Sequence, residues 1–130
     1  MLDKVEYWLE ICDDDLKAAK AMHNSKNFLW TGFICHIIAE KALKAAIANI
    51  TNEVPPKTHD LPKLASKTEI FGDMSQDFKD LLNKLTPLQI EARYPEYKEK
   101  ITALLTDDYC GKLLEETEGF LCWIKEKLGK

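Results

Sequence analysis

Arginine is almost missing from this chain of 130 residues, where Arg93 stands alone. Glycine and proline are sparse, five of each, which disfavours a sheet held by many tight turns. The four cysteines, Cys12, Cys35, Cys110 and Cys122, form no Cys-x-x-Cys pair. Without short ligand spacing a cysteine–histidine metal site has no support, and neither a metal nor a cofactor is expected. The cysteines fall inside helical patterns and read as small, reduced, mostly buried side chains. Long apolar runs are missing too. The longest weakly charged stretch, 27–39, contains His36 and is too short to span a bilayer, so no membrane contact is expected. The first ten residues carry acids and no apolar core region, unlike a signal peptide. A cytoplasmic protein is the expectation. An excess of basic charge is also lacking. The formal charge of −4 gives no general pull toward nucleic acid or anionic lipid, so any such contact needs a local basic patch.

What is present is helical periodicity. The length fits one domain over 1–130, enough to bury roughly two thirds of its unfolded surface. In segment 3–23, Val5, Trp8, Leu9, Cys12, Leu16 and Ala19 recur at three and four residues and make one apolar stripe. Asp13 and Asp14 fall on the solvated side, while Asp15 lies nearer the stripe. Asn24 and Ser25 break the pattern and can cap a new helix. Segment 26–49 is apolar nearly all round, which predicts the central helix. Its charges, Glu40, Lys41 and Lys44, need pairing or a groove. Glu40 and Lys44 have i,i+4 spacing.

A loop over 49–57 is marked by Pro55 and Pro56. Thr58 or Asp60 then caps a short helix, with Pro62 in its first turn and Gly72-Asp73 at its end. Ser75 caps a fourth helix along Phe78, Leu81, Leu82 and Leu85, and Thr86-Pro87 is expected to stop it. The stretch 88–106 reads as less regular, with Arg93-Tyr94-Pro95 as a fixed turn. Thr106 or Asp107 caps the last helix, to about residue 128. Gly111 and Gly119 lower its propensity and suggest close crossing of a neighbour. Short loops favour antiparallel neighbours, so the fold class is all-α, an up-down bundle of about five helices.

Three pieces occur in order: Asp15-Leu16 with Ala19; Ala39-Glu40-Lys41-Ala42-Leu43-Lys44-Ala45 followed by Thr58-His59-Asp60-Leu61; and Arg93-Tyr94-Pro95 before a last helix. Together they resemble the HEPN domain, the "higher eukaryotes and prokaryotes nucleotide-binding" family, over nearly the whole chain. The resemblance implies a helical bundle, usually homodimeric, from a bacterium or archaeon. It also implies a minimal nucleotidyltransferase as partner, often in a toxin–antitoxin pair. Some HEPN proteins are metal-independent ribonucleases that use an arginine followed within a few residues by a histidine. The arginine holds the scissile phosphate and the histidine serves as acid or base. That order is absent here, because His23, His36 and His59 all precede Arg93. Tyr97 is no substitute, since a tyrosine releases its proton only near pH ~10. The chain therefore resembles the Arg-Tyr-Pro branch, which implies nucleotide binding rather than cleavage. It departs from related domains at His36-Ile37, where glutamine is common.

The candidate ligand site joins Glu40, Lys41, Lys44, His59, Asp60, Arg93 and Tyr94. Lys44 and Arg93 would hold phosphate, and Tyr94 or His59 would stack on a base. Glu40 or Asp60 would accept from a ribose or a base amine. Each member also has a structural role open to it: Asp60 as a cap, His59 as a turn closure, Glu40 with Lys44 as an ion pair, Arg93 as an anchor for its turn. Trp8, Trp30 and Trp123 read as core or interface. Surplus apolar surface on helix two and the last helix suits a two-fold dimer. The expected function is a non-catalytic module that binds a nucleotide or RNA and a partner protein. The alternative is a ribonuclease with an atypical centre, Arg93 and His59 brought together in space.

Overall fold

Helical periodicity accounts for most of the architecture. The computed structural model describes residues 3–90 and 95–130, with side chains at 3–89 and 99–130. It contains α1 (Lys4–Asn24), α2 (Phe28–Ala48), α3 (Leu61–Ala65), α4 (Gln76–Ile90), α5 (Pro95–Leu104) and α6 (Asp107–Lys127), with one 3-10 turn at Phe71–Asp73. Among the described residues there is no strand. The helical-bundle expectation holds, with six helices.

Helix α2 packs against each of the other five helices, which explains its apolar circumference. Cys35, Ile38, Ala39, Ala42, Leu43 and Ala45 are fully buried along it. Helix α1 brings Val5, Leu9, Cys12 and Ala19 to the same core, and α6 brings Leu113, Phe120, Leu121 and Ile124. Asp3, Asp60, Ser75 and Thr106 each accept a backbone N–H of the helix they precede, satisfying donors that the first turn leaves open. Asn27 precedes α2 without a side-chain cap bond, so the Asn24-Ser25 break ends α1 without capping α2.

Several boundaries differ from expectation, the first being α3, which ends at Ala65 and leaves only the 3-10 turn Phe71–Asp73 at the expected end, Gly72-Asp73. Helix α4 continues through Pro87 to Ile90. Proline removes a helical hydrogen bond and costs ~3 kcal/mol or more. Against this, Leu81, Leu82, Leu85 and Leu88 form one buried row across the proline. Burying a leucine contributes roughly 1.5–3 kcal/mol, so continuing the row offsets the local cost. Pro95 opens α5, so 95–104 is helical rather than irregular, while Arg93 and Tyr94 of the expected turn lie outside the described residues. At a first helical position proline loses no bond, because that N–H has no helical partner.

Close helix approach occurs at Gly32, where an added Cβ would lie 3.2 Å from both Leu105 Cδ1 and Leu88 Cδ1. The expected crossings at Gly111 and Gly119 do not occur. A Cβ at Gly111 would make ordinary contact with the His23 ring at 3.5 Å, and one at Gly119 would meet nothing within 4 Å.

All four cysteines are free thiols, and Cys122 is exposed rather than buried. Burial, with Asp15 nearby, pushes Cys12 up to about 12. Burial likewise pushes Cys35 up to about 12 and Cys110 to about 11. Because the thiolate is the reactive form, native protein at pH 8 is expected to release one equivalent quickly from Ellman's reagent. The other three thiols react only on unfolding. Cys122→Ser removes the fast phase, and a second fast equivalent in the wild type would contradict this burial pattern.

Candidate polar pocket

Glu40 is the hub of the polar residues on α2. Its i−4 and i+4 neighbours, His36 and Lys44, lie on the same helical face. Lys44 Nζ donates to Glu40 Oε2 at 3.1 Å, and His36 Nε2 lies 3.3 Å from Oε1. From the loop before α3, His59 Nδ1 reaches the same Oε1 at 2.7 Å. The second nitrogen of His36, Nδ1, lies 2.9 Å from the Leu85 carbonyl on α4. His36 is fully buried. Both its nitrogens therefore face oxygen acceptors, and a neutral imidazole can donate to only one of them.

Burial alone would raise the Glu40 carboxyl. The hydrogen bonds from His36, His59 and Lys44, with the Lys44 charge, outweigh burial and bring it down to about 2. The carboxylate is thus held ionised in a nearly buried position, the condition under which a buried charge is tolerated.

Beside this hub is a cavity of about 220 Å³ lined by Phe33, His36, Ile37, Glu40, Lys41, His59 and Gln89. The Oε1 of Gln89 is buried and has no hydrogen-bond partner among the described residues. A buried unpaired acceptor is uncommon, and this one belongs to a cavity-lining residue. A larger cavity of about 460 Å³ between α4 and α6 is lined by Asp77, Asp80 and Glu116 against one lysine, Lys84. Three carboxylates facing one ammonium disfavour an anionic ligand there.

The expected site residues separate into groups. Glu40, Lys44 and His59 come together. Lys41 lines the cavity, but its Nζ donates to Asp15 Oδ2 of α1 at 2.9 Å. That pairing also gives Asp15 its role. Asp60 is an exposed cap whose Oδ1 accepts from the Lys63 N–H at 3.2 Å, and it does not line the cavity. Arg93 and Tyr94 lie outside the described residues. His36 and Gln89 join the site without having been expected there. The i,i+4 spacing of His36 and Glu40 is a readable signal. Gln89 carries none, because it follows a proline that reads locally as a helix stop.

The family model of the HEPN domain matches residues 5–128. The crystal structure of TT1696 from Thermus thermophilus is similar, with a TM-score of 0.81 at 21% identity, over 97% of this chain and 99% of that one. At that identity the likeness concerns the fold. No curated protein matches significantly. No helix of the described residues is long and apolar enough to cross a membrane.

Proposed function

The chain belongs to the HEPN domain family, and on that premise we propose that it is a non-catalytic module that binds a nucleotide or an RNA end at the Glu40 pocket. The observation that carries this reading is the composition of the cavity. Phe33, Ile37 and the half-exposed His59 ring offer flat or apolar walls, on which a base stacks without being read. The Glu40 carboxylate and the Gln89 Oε1, which has no partner among the described residues, are acceptors for a base amine or a ribose hydroxyl. Ligand cavities usually span roughly 300–1,000 Å³. At about 220 Å³ this one suits a base or a single phosphate, with the rest of the ligand lying across the surface. Lys44, and Arg93 by the family resemblance, are the proposed phosphate contacts.

The reading extends to partners: a second copy of the chain, and a minimal nucleotidyltransferase in a toxin–antitoxin type of pair. Trp30 on α2 is 55% exposed and stacks edge-on against Phe33, which supports α2 as part of a docking face. A cytoplasmic location belongs to the same reading.

Calorimetric titration with ATP, other nucleotides and short RNA tests the ligand. The expected result is weak binding that falls about tenfold, or ~1.4 kcal/mol, in Lys44→Ala and in Arg93→Ala. No heat at millimolar ligand would leave only the partner-binding part of the reading. One observation favours the second reading, an atypical ribonuclease. The Glu40–His59 contact orients an imidazole by a carboxylate, as general bases often are. RNA cleavage by pure protein that disappears in both His59→Ala and Arg93→Ala would establish it.

A further inference from the structure

We propose that His36, Glu40 and His59 form a binding site for one divalent transition-metal ion of the zinc class. Their ligand atoms all lie within 4.8 Å of one another. Two imidazoles and a carboxylate are a donor set that suits zinc, nickel or cobalt rather than magnesium or calcium. Four-coordinate zinc with metal–ligand bonds of about 2.0–2.1 Å places its ligand atoms roughly 3.3 Å apart. The His36 Nε2 to Glu40 Oε1 separation is 3.3 Å. The His59 Nδ1 to Oε1 separation is shorter, 2.7 Å, and opens by a small swing of a half-exposed ring.

Two independent features point to a cation. The first is the orientation of His36. Its Nδ1 lies against the Leu85 carbonyl at 2.9 Å and must donate there. This is the outer bond that aims a metal-ligating histidine and leaves Nε2 with its lone pair forward. The hydrogen bond from Nε2 to Glu40 then requires the imidazolium, whereas in the neutral ring the lone pair faces a carboxylate oxygen, a repulsive contact that a cation between them relieves. The second is Gln89. Its buried Oε1 belongs to a residue in the wall of the same cavity and has no partner among the described residues. An amide oxygen there can accept from a metal-bound water, or complete the coordination itself.

The surrounding charges permit an ion of charge two. Lys44 pairs with the other carboxylate oxygen, Oε2, and leaves Oε1 to the histidines. Lys41 is matched by Asp15. The neighbourhood is therefore close to neutral before an ion binds. On binding, His59 moves its proton from Nδ1 to Nε2, and any proton between His36 and Glu40 leaves to solvent.

Binding of the ion requires no nucleotide and is measured without one. Full-length protein, stripped with chelator, is titrated with zinc by calorimetry and with cobalt(II) by visible absorption, in the absence of nucleotide. Three chains are compared: wild type, His59→Ala and Cys122→Ser. The expected result is one ion per chain in wild type and Cys122→Ser, with affinity lower by about tenfold or more in His59→Ala. His59 is half exposed, so its removal leaves the fold intact. The ring nitrogen signals of His36 and His59 move with zinc, and that of His23 does not. Equal affinity in His59→Ala, loss of binding in Cys122→Ser, or no binding at millimolar ion would each overturn the proposal.

Discussion

Glu40→Ala is expected to destabilise the chelator-treated protein by about 3 kcal/mol, measured by urea unfolding. Removing one member of a buried pair costs roughly 3–5 kcal/mol. The lower end applies because the cavity beside Glu40 lets water reach the vacated contacts. Three groups lose a partner at once: His36, His59 and Lys44. Only His36 is fully buried, so most of the loss is expected there. His59→Ala removes a half-exposed partner and is expected to cost less than about 1 kcal/mol. Acid gives the same information by another route. The Glu40 carboxyl is brought from 4.5 to about 2 by its hydrogen bonds. Its contribution to stability is therefore complete above pH 4.5 and is lost as pH falls through about 2. The difference in stability between wild type and Glu40→Ala should shrink over that window. A constant difference down to pH 2 would mean that the charge of Glu40 contributes nothing to it.

The second large effect is in the core. Phe120→Ala is expected to cost about 3–5 kcal/mol and to lower the melting temperature by on the order of 10 °C. Phe120 is fully buried on α6. Its ring meets Phe78 of α4 edge-on at 5.3 Å and lies stacked with Trp123 at 6.2 Å. The substitution removes the ring's burial and both aromatic contacts, and leaves a cavity between α4 and α6. Those helices also border the larger acidic cavity, so collapse around the gap is the one process that would soften the loss. A cost below about 1 kcal/mol, measured by the same unfolding curves, would mean that α4 and α6 are not packed through this ring.

The long helices are legible in the sequence because their apolar residues recur at three and four positions. The bundle centre is legible because α2 is apolar nearly all round, and it does touch every other helix. What is not legible depends on partners distant in the chain. Pro87 reads locally as a stop, yet the buried row from Leu81 to Leu88 holds α4 together across it. The stretch after Pro95 reads as irregular when its neighbours are considered alone, but forms α5. Gly32 carries no local mark. Its significance comes from Leu88 and Leu105, which approach from two other places in the chain.

The site divides along the same line. Glu40 with Lys44 is visible as an i,i+4 pair, and His59 is placed beside them through the family resemblance. His36 stands out in the sequence only as a departure from glutamine, although its spacing to Glu40 places the two on one face. Lys41 faces Asp15 of α1, a contact that separation in sequence hides. Asp60 has two roles open to it, and the cap is the one observed.

The proposed ligand of the pocket around Glu40 is a nucleotide or an RNA end. The most direct test is a titration of isotope-labelled protein with ATP and with a short RNA, followed by amide and side-chain chemical shifts. The shifts are expected to saturate, to concentrate at Phe33, Ile37, Glu40, Lys44, His59 and Gln89, and to need more ligand in Lys44→Ala. Shifts confined to the acidic cavity between α4 and α6, or none at millimolar ligand, would contradict it.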